Sequence, residues 1–242
     1  MSEPIADAFQ IWSYMSQQPL LWLCATLFAY WIGEILFVKA GRNPLVNAVL
    51  IAIVLLGVLL HITGTSYETY FDGAQFVHFM LGPVTVCLAI PLQANLLSIR
   101  KALIPIMAAL VVGSVTSIVV ALGVAKLLGA DQVLLATIAP KSVTTPVAIG
   151  IAEGMGGDTA LTAVLVIITG TIGAICVTPL LNLLRVRDWR ARGFAVGVVS
   201  HGFGTARAFQ VNDTAGVFAS TGMGLNAVLT AFVAPLVLHL FF

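Results

Sequence analysis

Apolar runs of about bilayer length recur along this chain, at Leu20–Val38, Leu45–Ile62, Gln75–Leu97, Ala102–Leu128, Thr159–Leu184 and Thr214–Phe242. A helix needs about 20 mostly apolar residues to cross a ~30 Å hydrocarbon core. In that core every backbone polar group must find its partner inside the protein. Runs repeated so closely leave no room for a soluble domain. Composition agrees: 60% of the residues are hydrophobic and 9% charged, against roughly 45–50% and about 25% in soluble domains. The expectation is an all-α polytopic membrane protein. It would be a single transmembrane domain over residues 1–242, with about six spanning helices plus two broken or re-entrant segments.

Several function classes drop out early. A net charge of +1 gives no electrostatic case for nucleic acid. Cys24, Cys87 and Cys176 each sit in an apolar run, spaced as neither a zinc site nor a disulfide framework; they read as small core residues. No His/Cys/Asp/Glu cluster has metal-ligand spacing, and no nucleophile–base–orienter set is evident. The chain therefore reads as a non-enzyme without cofactor or metal. The first residues carry Glu3 and Asp7 with no Lys or Arg, the wrong polarity for a secretory signal. Within residues 1–18, Ala6–Ser16 is expected to lie as a short interfacial helix.

The two broken segments, Asp131–Glu153 and Gly193–Gln210, constrain function most. The first carries Pro140-Lys141-Ser142-Val143-Thr144-Thr145-Pro146 in its middle, and each Pro lacks an N–H and disfavours helix at the residue before it. The second carries Ser200-His201-Gly202-Phe203-Gly204-Thr205-Ala206-Arg207. Non-helical backbone at membrane depth is tolerated only where protein or a wet cavity satisfies it. Basic loop clusters occur at Lys39/Arg42, at Arg100/Lys101 and from Arg185 to Arg192. They share the cytoplasmic side, as Lys and Arg usually do, only if Asp131–Glu153 enters and leaves by one face. Lys126 is the exception and is expected to snorkel along its helix end. The tripeptide Asp-Thr-Ala follows both broken segments, at Asp158 and at Asp213, and opens a long apolar helix each time. Asp is a good N-cap, which alone could explain both. Broken segment, cap and long helix occurring twice also predict an inverted-topology repeat, as in many secondary transporters.

On these two blocks the sequence resembles the LrgB/CidB family of bacterial membrane proteins. Supporting blocks are Thr63-Gly64-Thr65-Ser66-Tyr67-Glu68-Thr69-Tyr70-Phe71 and Leu81-Gly82-Pro83-Val84-Thr85-Val86-Cys87-Leu88-Ala89-Ile90-Pro91-Leu92. The resemblance runs from about Gly33 to the C-terminus. Gln93 stands where the family often has Tyr, and Ala48 follows Asn47 where it often has Pro; the latter suggests a straighter second helix. The resemblance implies a multi-pass protein of the bacterial cytoplasmic membrane. It implies two functions. One is holin/antiholin-like control of murein hydrolase activity and autolysis, with a small LrgA/CidA-type membrane partner. The other is transport of small monocarboxylates of the glycolate, glycerate and pyruvate class.

The residues themselves lean toward an anion site. Lys141 is an ammonium in the middle of a membrane segment, costly unless paired or used; the structural alternative is pairing with a carboxylate such as Glu34 or with carbonyls. Ser142, Thr144 and Thr145 add hydroxyls that either line a site or bond back to preceding carbonyls. Pro146 shapes the break. His201 could carry a proton or bind a carboxylate, or be a structural histidine, whereas His61, His78 and His239 lie at segment ends. Gly202 and Gly204 admit an anion to backbone amides or serve packing, and Thr205 lies between them and Arg207. Arg207 offers a bidentate carboxylate contact or an interfacial anchor. The expectation is thus a secondary transporter of a small carboxylate in the lipid bilayer, with the holin-like alternative beside it. Self-assembly, coupling ion and direction stay open.

Overall fold

The computed structural model describes residues 18–43, 46–87, 93 and 96–241. The interfacial helix expected in 1–18 lies almost wholly outside them, as do Leu88–Leu92 of one family block. The described residues form ten α-helices and no strand. The chain divides into two compact units, Met1–Cys87 and Leu88–Phe242.

In the first unit, α1 (Pro19–Lys39) packs on α2 (Ala48–Thr63) and α3 (Tyr67–Cys87). Trp22 is fully buried, edge-on to Tyr70 with ring centroids 5.9 Å apart, and the Tyr70 hydroxyl lies 3.1 Å from Thr26 Oγ1. Asn47 caps α2 by accepting from the Val49 and Leu50 N–H groups. Ala48 is thus the first helical residue, a position where Pro fits without a kink. The expectation that Ala48 straightens this helix is therefore not upheld. The third predicted run also shifts: α3 starts at Tyr67, not Gln75. Ser66 Oγ accepts from the Thr69 N–H, and Glu68 sits in the first turn near the positive helix end. Local capping thus outweighs the polarity of Tyr67–Gly73.

The second unit opens with α4 (Leu96–Lys101) and α5 (Leu103–Leu127). The segment α6 (Gln132–Ile138), a break, and α7 (Thr145–Gly154) then form a hairpin. Asp131 caps α6 by accepting from the Leu134 N–H. After α7 the chain returns to α6, where the Asp158 N–H donates to Thr137 Oγ1 at 2.8 Å and Thr162 Oγ1 donates to the Thr137 carbonyl at 3.2 Å. A chain continuing straight from Thr137 would have carried Asp158 about 30 Å away at 1.5 Å per residue. The tip lies beside Ser117 of α5, about 15 Å along the helix from Leu127.

Next come α8 (Thr159–Leu183), α9 (Trp189–Val211) and α10 (Asp213–His239). Helix α9 is itself a hairpin, reversed at His201, whose φ of 39° and ψ of −127° are foreign to helix. Its arms lie side by side: Val196 and Ala208 share one buried cluster, and Gly204 abuts Val196. The break is therefore one residue, not the whole Ser200–Arg207 stretch. Asp158 caps α8 as expected, but α10 is capped by Asn212, which accepts from the Ala215 N–H. Asp213 is instead in the first turn, because Asn212 is the extended residue at the helix entrance.

Tight packing of α9 on α10 rests on small residues four apart. A Cβ on Gly193 or Gly197 would collide with the carbonyl oxygens of Ala215 and Ala219. This is the close backbone approach that small residues permit between membrane helices. Gly197→Leu is expected to destabilise the protein by about 3 kcal/mol or more, since backbone cannot yield as a side chain can. Gly224→Leu, at a site with nothing near its Cβ, should be close to neutral; unfolding in mixed detergent micelles compares the two.

Four helices, α1, α5, α8 and α10, are long and apolar enough to cross a membrane. Helix α2 is apolar but has 16 residues. All three cysteines are exposed, so the core placement expected for them is corrected: they sit on outward faces, where lipid is as apolar as a core.

Candidate functional site

The two hairpin tips meet between α8 and α10. Val166 of α8 is fully buried against Val143 and Ala148 of the first hairpin. Its carbonyl oxygen lies 3.0 Å from His201 Nε2 at the tip of the second. From α10, Asn226 Nδ2 donates to the Ser142 carbonyl at 3.1 Å and to the Val198 carbonyl at 3.0 Å. Each amide hydrogen thus serves one hairpin. Asn226 Oδ1 accepts from Thr230 Oγ1, which lies 3.5 Å from Ser114 Oγ of α5.

Lys141 stands at the first tip. Its Nζ donates to Ser117 Oγ and Ser142 Oγ, each at 3.1 Å, and those two oxygens are 3.1 Å from each other. No carboxylate answers it: the only salt bridge among the described residues joins Arg190 to Asp188. Lys141 is therefore a half-buried cation held by neutral hydroxyls, with capacity to meet an anion. Behind it α7 begins with Thr144 as N-cap, whose side chain makes no capping bond, and with Pro146, which has no N–H. The first-turn N–H groups of Thr145 and Val147 carry the positive end of the helix toward the break. Ser142 is buried; Thr144 and Thr145 are half-buried.

His201 is buried, and because its Nε2 faces a carbonyl, that nitrogen carries the proton. Its ring is edge-on to Phe203 at 5.8 Å. The ring rests on Gly170 and the Ser200 hydroxyl on Gly173, where a Cβ at either glycine would collide with them. Gly204 is taken up in packing against Val196 and Ser200, whereas Gly202 has open space beside it. Thr205 Oγ1 bonds back to the His201 carbonyl at 2.7 Å, the structural use of a threonine in a membrane helix.

Of the expected residues, Lys141, Ser142 and the backbone of the His201 reversal converge, with Thr144 and Thr145 at the edge. Arg207 does not join them. It lies at the open end of the second hairpin, among Val177, Thr178, Trp189 and Arg192, because the chain turns back at His201 and carries it away. Asn226, Ser114, Ser117 and Thr230 were missed. The signal was one amide and scattered hydroxyls in long apolar helices, where buried polar groups need partners.

Among the described residues, no group of His, Cys, Asp and Glu could hold a metal ion. Broken-helix hairpins meeting at a buried polar network, beside helices long enough to span a bilayer, define a helical membrane protein. The chain belongs to the LrgB-like family, whose model matches residues 26–240. It is 33% identical over 225 residues to holin-like protein CidB of Staphylococcus epidermidis, covering 93% of this chain and 98% of that protein. It is 32% identical over 225 residues to holin-like protein CidB of Staphylococcus aureus, with the same coverage. It is 39% identical over 216 residues to the uncharacterized protein YxaC of Bacillus subtilis, covering 89% of this chain and 94% of that protein. No solved structure matches the chain.

Proposed function

We propose that this chain is a holin-like protein of the bacterial cytoplasmic membrane, acting with a small LrgA/CidA-type partner on permeability and through it on murein hydrolase activity and autolysis. Support comes from the near full-length likeness to proteins named holin-like. A second reading is favoured by one observation of the site. Lys141 has only hydroxyl partners, next to the N–H groups that open α7. That chemistry suits a compact carboxylate, and the reading is a carrier of small monocarboxylates such as glycolate, glycerate or pyruvate.

Both readings use one membrane layout. The first hairpin would be re-entrant from the face where α5 ends and α8 begins, the second from the opposite face, as an inverted pair. The return of Asp158 to Thr137 and the reversal at His201 support it. Single cysteines replacing Gly156 and Ala191, with the three native cysteines removed, should react with an impermeant reagent from opposite sides. Labelling of both from one side would remove the layout.

Purified protein in liposomes separates the functions. Saturable, stereoselective uptake of one small acid supports the carrier. Non-saturable release of unrelated solutes, requiring the small partner, supports the holin-like function.

A further inference from the structure

An apolar groove of about 590 Å³ runs beside α5, α9 and α10. Its walls are Pro105, Ile106, Ala109 and Gly113 from α5 and Phe194 and Val198 from α9. Both walls start at the same end, where Lys101, Asp188 and Arg190 form the mouth. From Pro105 to Gly113 the wall is about 12 Å long at 1.5 Å per residue. The volume lies within the ~300–1,000 Å³ usual for ligand pockets.

Charge at the mouth selects the occupant. Asp188 is engaged by Arg190, which donates Nε and Nη2 to its carboxylate. That hydrogen bonding holds the Asp188 carboxyl down at about 2, so Asp188 stays ionised beside Arg190 at any ordinary pH. Arg190 keeps Nη1 outside the pair, and Lys101 has no ion-pair or hydrogen-bond partner among the described residues. The mouth therefore carries a net positive charge above an apolar slot. A free phosphate would find the cations but leave the slot empty. A neutral lipid would fill the slot but leave Lys101 unanswered. A transmembrane helix of a partner would answer the mouth only if it carried a carboxylate at that depth, whereas an anionic lipid carries phosphate and acyl chain together.

We propose that this groove is a binding site for an anionic phospholipid, with its phosphate between Lys101 and Arg190 and one acyl chain along Ile106, Ala109 and Gly113. Basic pockets between membrane helices on the positive side are suited to such headgroups. The site is independent of the functional readings above, and it would fix α5 to α9.

The test uses the full chain, purified in detergent and freed of lipid, with phosphatidylglycerol and phosphatidylcholine of equal chain length as probes. Binding is followed by native mass spectrometry and by thermal stabilisation. Wild type should prefer phosphatidylglycerol about fivefold to tenfold, and Lys101→Gln with Arg190→Gln should abolish the preference without unfolding the protein. Gly113→Leu, where a Cβ meets only Val198 Cγ1 at an ordinary 3.7 Å, should plug the slot and weaken both lipids. Glycerol phosphate, the headgroup without chains, should not compete. Equal binding of the two lipids by wild type would overturn the proposal. So would a preference surviving in the double variant, undiminished lipid binding by Gly113→Leu, or equal binding of glycerol phosphate.

Discussion

Replacing Asn226 by Leu should cost about 2–4 kcal/mol of stability, among the larger single-residue losses available in this protein. The size matches well enough that packing is not the main loss. Asn226 is 1% exposed, and its amide serves the Ser142 and Val198 carbonyls while its oxygen accepts from Thr230. The leucine would take the amide donor from two buried carbonyls, and a buried carbonyl left unpaired costs roughly 1–3 kcal/mol. Measured side-chain bonds within membranes average only about 0.6 kcal/mol, so the estimate rests on orphaned backbone rather than on the bonds themselves. Asn226→Asp should be worse, because a carboxylate sets acceptors against acceptors. Unfolding in mixed micelles measures both. An Asn226→Leu protein as stable as wild type would show that the two hairpins do not depend on this amide.

The same residue marks where sequence reading stopped. Helices α1, α5, α8 and α10 were legible because length and apolarity are local properties. Each ended within a residue or a few of the predicted bound, except that the C-terminal run extends past His239 where α10 stops. The entrance of α3 was hidden because Ser66 capping starts the helix inside a polar stretch. Both broken segments were legible too, from Pro140, Pro146 and the glycines around His201. What those breaks do was not. That Val196 lies beside Ala208 and Gly204 follows from a reversal confined to His201, and composition does not fix the angle of a break.

This explains the uneven legibility of the site. Lys141 and Ser142 stand out as polar residues in an apolar segment, and they lie at the tip because the two prolines bracket them. Arg207 was grouped with them by adjacency in sequence to His201; after the reversal, each further residue moves away from the tip. Gly193 and Gly197, four apart opposite Ala215 and Ala219, carry the packing that holds the second hairpin, yet such spacing arises readily in a glycine-rich chain. Asn226 differs again. Its amide was visible, but its partners are backbone carbonyls, and no side-chain pattern announces those.

Lys141→Ala should lower affinity for a bound small carboxylate by about tenfold to a hundredfold, the range of one charge-assisted hydrogen bond. This expectation belongs to the carrier reading. Folding should survive the change for a reason visible in the site. Ser117 Oγ and Ser142 Oγ are 3.1 Å apart and can bond each other once Nζ is gone, so the substitution orphans no buried group. It also removes a half-buried cation that no carboxylate offsets, which leaves the protein equally or more stable without ligand. Lys141→Arg should rescue only in part. Its planar guanidinium is larger, and its donors are fixed in a fork that two neighbouring hydroxyls do not match. The measurement is stabilisation and uptake for wild type and both variants across pyruvate, lactate, glycolate and glycerate. Undiminished binding of one of these acids by well-folded Lys141→Ala would remove Lys141 from the site while sparing the carrier reading. Failure of wild type to respond to any of them, with or without the LrgA/CidA-type partner, would end the carrier reading itself and leave the holin-like function.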